Sequence, residues 1–217
     1  MKLIKPSHEI LSEIDSKTFL KNIELAGRTC YKSEEKITED SAPKFVKMIM
    51  NKHHESVLKH EKITVKFICD RGVTHEFVRH RIASYSQEST RYCNYSKDKY
   101  DNQLTFIIPE WTNFLPGDAY CETDDAFLST LNEENDPSVF WLYSMQVAEN
   151  NYKKLLKLGW KPEQARSVLP NSLKTEIVVT ANLREWRKIF ELRTAKAAHP
   201  QIRELLTPLL KELQEKV

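Results

Sequence analysis

The stretch Arg79-His80-Arg81-Ile82-Ala83-Ser84-Tyr85-Ser86-Gln87-Glu88-Ser89-Thr90-Arg91-Tyr92 gathers three guanidinium groups, an imidazole and the small hydroxyls of Ser84, Ser86, Ser89 and Thr90 into one short run. Its first residues close a helix expected over Val73 to Arg81. The small polar residues after it favour turns and extended loops over helix interiors. Guanidinium forks grip a phosphate with paired charge-assisted bonds, and hydroxyls and loop N–H groups satisfy its remaining oxygens. The chemistry therefore suits a nucleotide phosphate monoester, with Gln87 able to read a base edge because its amide both donates and accepts. Residue types alone also leave open a plain solvated face, since exposed charges usually do little.

Charge placement supports a site. Residues 71–100 hold six Lys/Arg against three Asp/Glu, whereas residues 101–140 hold nine Asp/Glu and no Lys/Arg. The net charge of the 217-residue chain is only +2, so positive charge is local to the run. Hydrophobic residues make up 40% and charged residues 29%, a balance that predicts one folded domain over residues 1–217. The cysteines Cys30, Cys69, Cys93 and Cys121 form no Cys-x-x-Cys pair, which fits a reduced compartment better than a disulfide framework or zinc ribbon. The start Met1-Lys2-Leu3-Ile4-Lys5-Pro6 lacks a secretory apolar core, and no apolar run reaches membrane-spanning length. A cytoplasmic protein without a membrane partner is expected. With four glycines, Gly27, Gly72, Gly117 and Gly159, neither Gly-x-Gly-x-x-Gly nor a P-loop can be built.

Taken in order, residues 2–6 read as a strand and Lys17 to Tyr31 as a helix, with Cys30 a small packing residue near its end. Glu39-Asp40-Ser41 can cap a second helix running through Phe45, Val46 and Ile49. Glu61 to Cys69 alternates as a half-buried strand. Leu104 to Pro109 and Lys174 to Thr180 are further strands. Pro137 to Leu158 is a long helix stopped by Gly159, and Pro200 to Lys216 an amphipathic one. The acidic residues 101–136 read as loop with some helix. The expected class is α+β, a single domain with a central, largely antiparallel sheet flanked by helices.

No metal site is expected. His53, His54 and His60 lack the zinc His-Glu-x-x-His spacing, and His75 and His80 stand about 140° apart on a helix.

Arg79-His80-Arg81, seven residues, then Ser89 and Arg91-Tyr92 resembles the signature of the flavin-dependent thymidylate synthases. The likeness extends to His54-Glu55-Ser56, to Ala165-Arg166-Ser167-Val168-Leu169-Pro170, and to Asn182-Leu183-Arg184 with Leu192-Arg193. The resemblance implies a dUMP site formed by Arg79, Gln87, Ser89, Arg91, Arg166 and Arg193. It implies catalytic roles for Ser89 and Arg193: Ser89 is expected to bind substrate without acting as a covalent nucleophile, and Arg193 to polarise the pyrimidine. It implies FAD contacts from His54, Ser56, Arg79, His80, Arg81, Ile82, Asn182, Arg184 and Lys188. Lys59 and Glu76 stand where some relatives carry glutamate and glutamine, and Lys188 where the resemblance leads one to expect asparagine or histidine. The implied reaction converts dUMP to dTMP, with 5,10-methylenetetrahydrofolate as one-carbon donor and NADPH-reduced FAD as reductant. The implied assembly is a homotetramer with sites shared between subunits.

A nucleic-acid module is the competing reading, since arginine and aromatic groups can clamp phosphates and stack bases. The near-neutral charge, the acidic 101–140 segment and the lack of RRM, KH or helix-turn-helix patterns weigh against it.

Overall fold

The computed structural model describes residues 1–132 and 136–216. Along the chain its elements are β1 (Lys2–Ile4), β2 (Ser7–Ile10), α1 (Ser16–Tyr31), α2 (Ala42–Asn51), β3 (Lys62–Asp70), α3 (Arg71–Phe77), β4 (Ala83–Gln87) and β5 (Thr105–Ile107). There follow β6 (Gly117–Asp118), α4 (Asp125–Thr130), α5 (Pro137–Lys157), α6 (Pro162–Ala165), β7 (Lys174–Asn182), α7 (Leu183–Arg193) and α8 (Pro200–Lys216). The class is α+β, with antiparallel pairing and flanking helices. In place of one central sheet there are two: three strands in the order β5-β1-β6, and four in the order β2-β3-β7-β4. The chain divides into two compact units, Met1–Ser7 with Ile68–His75 and Gln87–Ile177, and His8–Phe67 with Glu76–Ser86 and Val178–Val217.

In the first unit β1 pairs parallel with β5 (Leu3 opposite Phe106) and antiparallel with β6 (Leu3 opposite Gly117). The parallel pair departs from the expected pattern. It is possible because the long connection between β1 and β5 gives the chain room to return in the same direction. Leu3 and Phe106 pack with Leu104, Ile108, Met145, Tyr152 and Leu173 into one buried cluster. Helix α5 supplies Met145 and Tyr152. Its start is set by Asp136, whose side chain accepts the Ser138 N–H, and by Pro137 in the first turn. Gly159, at φ +94°, turns the chain just after the helix. The acidic stretch 101–136 holds β6 and α4, while its residues 133–135 lie outside the described residues.

In the second unit β3 buries Ile63, Val65 and Phe67 completely or nearly so, as the alternation predicts. The Glu61 carbonyl accepts from the Leu183 N–H, and the Thr64 and Thr180 hydroxyls meet at 2.9 Å. These pairs keep a constant residue sum, the mark of antiparallel neighbours β3 and β7. Helices α1 and α2 pack through Ile23, Phe45, Val46 and Ile49. Gly27 allows their close approach: a Cβ there would stand 2.5 Å from the Phe45 ring. The expected Ser41 cap does not form its helix bond; its hydroxyl donates instead to buried Glu24 at 2.8 Å.

Two local expectations change around the arginine-rich run. The helix occupies Arg71–Phe77 instead of Val73 to Arg81, so Arg79, His80 and Arg81 lie beyond it. It begins early because the Asp70 carboxylate accepts the Val73 N–H at 2.7 Å. It ends early where the Tyr85 hydroxyl reaches the Phe77 and His80 carbonyls, each at 2.6 Å. Ser84 to Gln87 form strand β4 at a sheet edge instead of a loop, with Ala83 and Tyr85 half-buried. Sheet pairing and Tyr85 packing override the weak turn preference of the serines.

Candidate active site

Helix α7 organises the second unit's site. Asn182 caps it, its side-chain oxygen accepting the Glu185 N–H at 2.9 Å. From there Arg184, Lys188 and Glu191 follow at helical spacing along one face. Trp186, Ile189 and Phe190 form the buried opposite face, and the Trp186 indole donates to the Ile63 carbonyl. The polar face lines two clefts. One, of 710 Å³, is walled by Arg79, His80, Arg81 and Ile82 against Glu185, Lys188, Leu192 and Arg193. The other, of 750 Å³, is walled by His53, Glu55 and Lys59 against Asn182, Arg184 and Arg187. Ile82, Glu185, Lys188 and Glu191 line both.

The expected flavin residues Arg79, His80, Arg81, Ile82, Asn182, Arg184 and Lys188 thus gather on adjoining clefts of one unit. His54 and Ser56 stand beside this wall in sequence, but the lining residues there are His53, Glu55 and Lys59. His54 is held by the Tyr31 hydroxyl, 2.7 Å from its Nδ1. Lys59 keeps a place in the lining with a cationic group. Exposed Arg79, Arg81, Arg184 and Lys188 can meet a pyrophosphate, and exposed Ile82 offers an apolar face, so the donor set fits a flavin dinucleotide without a glycine-rich turn.

His80 is 5% exposed and Glu185 is 6% exposed. His80 Nδ1 lies 3.4 Å from Glu185 Oε1, and Arg193 Nε donates to His80 Nε2 at 3.0 Å. Arg193 also donates to the Glu76 carboxylate at 2.5 Å and to the Glu76 carbonyl at 3.2 Å. Burial, then the Arg193 guanidinium, lowers the His80 pKa, while Glu185 works the other way. Burial, then Glu185, pushes the Tyr85 phenol up to about 12, so it remains a donor to its carbonyls. The sequence reading named neither Glu185 nor Tyr85 as part of this centre. A first-turn carboxylate after an Asn cap reads only as helix capping, and Tyr85 carried no local signal.

The first unit holds the other expected group. Arg166 donates to the Thr90 hydroxyl at 3.2 Å, and the Arg91 N–H donates to the Ser89 hydroxyl at 3.3 Å. Arg91 and Arg166 are exposed; Arg91 makes a long 3.9 Å ion pair with Glu163 and lies over the Tyr92 ring. The structure therefore brings Ser89, Arg91 and Arg166 together, as expected, and adds Thr90. The Gln87 amide donates to the hydroxyls of Thr74 and Thr175 at 3.1 and 3.3 Å, which engages its donor end within the unit. The neighbouring Glu88 accepts from Tyr95 and Lys174, fixing the run on the strand side. Arg79 and Arg193 belong to the second unit's group. Cys30, expected as a packing residue, is exposed. Among the described residues no cluster of histidine, cysteine or carboxylate groups has the makings of a metal centre, and no helix is long and apolar enough to cross a membrane.

The sequence model of the family described as Thymidylate synthase complementing protein matches residues 14–217. A flavin-dependent thymidylate synthase of Pyrococcus abyssi is 34% identical over 185 residues, 85% of this chain and 67% of its own length. Another, from Geobacter sulfurreducens, is 34% identical over 196 residues, 87% of this chain and 75% of its own. Among solved structures, a UMP/dUMP methylase PolB from Streptomyces cacaoi bound with 5-Br UMP superposes with a TM-score of 0.72 at 18% identity. That match covers 100% of this chain and 92% of that one, a likeness of fold.

Proposed function

The chain belongs to the Thymidylate synthase complementing protein family, and we propose that it is a flavin-dependent thymidylate synthase that methylates dUMP to dTMP. One observation carries the reading within the structure: the adjoining clefts on α7, sharing Ile82, Glu185, Lys188 and Glu191, collect cationic residues from chain segments far apart in sequence. FAD, when bound, carries reducing equivalents from NADPH to the one-carbon unit delivered by methylenetetrahydrofolate.

The residues divide the remaining work. Arg79, Arg81, Arg184 and Lys188 would neutralise the flavin pyrophosphate, with His80, Ile82 and Asn182 beside it and the His54–Ser56 segment at the rim. Arg91 and Arg166 would hold the dUMP phosphate, with the Ser89 hydroxyl completing its shell. Ser89 would act by binding and not as a nucleophile: its hydroxyl accepts the Arg91 N–H, and among the described residues no base is bonded to it. Gln87 has an amide oxygen to offer the base. Arg193 would polarise the pyrimidine, favouring negative charge on the ring as its C5 becomes nucleophilic.

Residues 1–217 act as one functional domain in this reading. The exposed side chains of Ile82 and Leu192, at 61% and 50%, lie on the cleft wall. A second copy covering that wall would bury them, which supports a homotetramer with sites shared between subunits. A cytoplasmic location fits the absence of paired cysteines among the described residues. The test is tritium release from [5-³H]dUMP by the yellow, flavin-loaded protein with NADPH and methylenetetrahydrofolate. Colourless protein that releases no tritium and binds single-stranded DNA would replace this reading with the nucleic-acid one.

A further inference from the structure

We propose that Glu185 is a positioning residue that holds His80 in its Nδ1–H tautomer, and that this tautomer in turn orients Arg193 for the reaction. The inference deepens the reading above and rests on it for its kinetic part. Its geometry lies wholly within the second unit.

A guanidinium Nε–H can only donate, so His80 Nε2, 3.0 Å from Arg193 Nε, must present a lone pair. The imidazole proton then sits on Nδ1, facing Glu185 Oε1 at 3.4 Å, and a carboxylate there can only accept. The reverse tautomer would set an N–H against the Arg193 N–H and leave two acceptors facing each other. Protonated His80 would set two cations together in a site where His80 and Glu185 are 5% and 6% exposed.

The same chain of bonds fixes the Arg193 side chain. Nε is held by His80, Nη1 by the Glu76 carboxylate and Nη2 by the Glu76 carbonyl. Glu76 engages the outer edge of the guanidinium through both Nη atoms. His80 is the anchor that remains when ligand competes with Glu76 for that edge. The Asn182 side chain, accepting the Glu185 N–H, fixes the first turn from which the Glu185 carboxylate extends.

The charged and titratable groups facing His80 are Glu185, Lys188, Glu191 and Arg193 from α7, Glu76 from α3, Arg79 and Arg81 from its own run, and Tyr85 from β4. Burial and Arg193 lower the His80 pKa and Glu185 partly restores it. Removing the Glu185 charge must therefore move His80 protonation to lower pH.

The experiment compares the flavin-loaded wild type with Glu185→Gln and Glu185→Asp. Imidazole ¹⁵N spectra of histidine-labelled protein, with His80 assigned through His80→Asn, are expected to show Nδ1–H in the wild type. Glu185→Gln, whose amide can also donate, should give a mixture with Nε2–H, while Glu185→Asp should retain Nδ1–H. In dUMP tritium release, Glu185→Gln should lower kcat about ten-fold or more with a smaller change in KM, and shift the acidic limb to lower pH. Glu185→Asp should recover part of the loss. A wild-type spectrum showing Nε2–H or imidazolium at pH 8 overturns the proposal, whether or not the variants fold. Glu185→Gln with wild-type tautomer, kcat and pH profile overturns it as well. Because the spectra need no substrate, a wild type that shows Nδ1–H but releases no tritium sinks the functional reading and leaves the tautomer assignment standing.

Discussion

Replacing Arg166 or Arg91 by alanine tests the phosphate end of the site, and the structure sets the size of the effect. Both side chains are exposed and carry little internal obligation. Arg166 gives one bond to the Thr90 hydroxyl, at 3.2 Å. Arg91 faces Glu163 at 3.9 Å with side chains 55% and 45% exposed, a pair worth about 0–1 kcal/mol. Their removal should therefore leave the fold nearly as stable as before. A charge-assisted bond to phosphate contributes about 1.5–3 kcal/mol, so dUMP affinity should fall roughly 10- to 100-fold in each variant. The double variant should lose less than the product of the two, because both groups answer to one dianion. Isothermal calorimetry of dUMP and of FAD on the same preparations separates the sites: dUMP binding should weaken much more than FAD binding. Unchanged dUMP affinity in both single variants would falsify the assignment, as would an equal loss for FAD.

Gly27→Ala should destabilise the protein by about 1–3 kcal/mol, since the added Cβ meets the Phe45 ring at 2.5 Å, and pairing it with Phe45→Leu should recover part of that loss in urea unfolding. Glu149 is buried against the Met1 ammonium at 3.0 Å; burial works to raise its pKa, but the Leu104 N–H, Lys153 and the ammonium outweigh it and hold the value below 4.5. A depressed folded value means stability present above pH 4.5 and lost as pH falls through the folded pKa, so Glu149→Gln should flatten acid unfolding in that window while costing about 3–5 kcal/mol at neutral pH; an acid limb unchanged by the substitution counts against this. If sites are shared between subunits, inactive Arg79→Ala and inactive Arg166→Ala proteins, mixed and reassembled, should regain partial activity, whereas a fully active monomer in sedimentation would end that model.

Much of the architecture is written in periodicity. The alternation through Ile63, Val65 and Phe67 became β3, and the apolar stripe ending at Gly159 became α5, because both carry signals within a few residues. The division into two sheets was not readable. It depends on β1 finding β5 about a hundred residues later, a contact with no local signature. The same reason explains the arginine-rich run. Serine-rich Ser84 to Gln87 has loop propensities, yet it lies at the edge of a sheet whose neighbouring strand, β7, comes far later in the chain.

The site divides along a similar line. Arginine, histidine and serine at signature spacing mark candidate residues, and the clefts on α7 gather most of those expected for flavin. What spacing does not carry is the state of each group. Arg193 is expected to meet the pyrimidine, and three of its five N–H donors are engaged by His80 and Glu76. That Glu76 is a carboxylate and not an amide has a physical consequence. A neutral amide offers the guanidinium a weak partner, while a carboxylate offers a full counter-charge that any ligand oxygen must displace or share. The bond is partly screened, since the two side chains are 15% and 23% exposed, so displacement stays within reach of a pyrimidine that gains negative charge as it reacts. If Arg193 meets the base as proposed, Glu76 would weaken its hold on the ground-state base more than on the transition state, lowering affinity without lowering turnover.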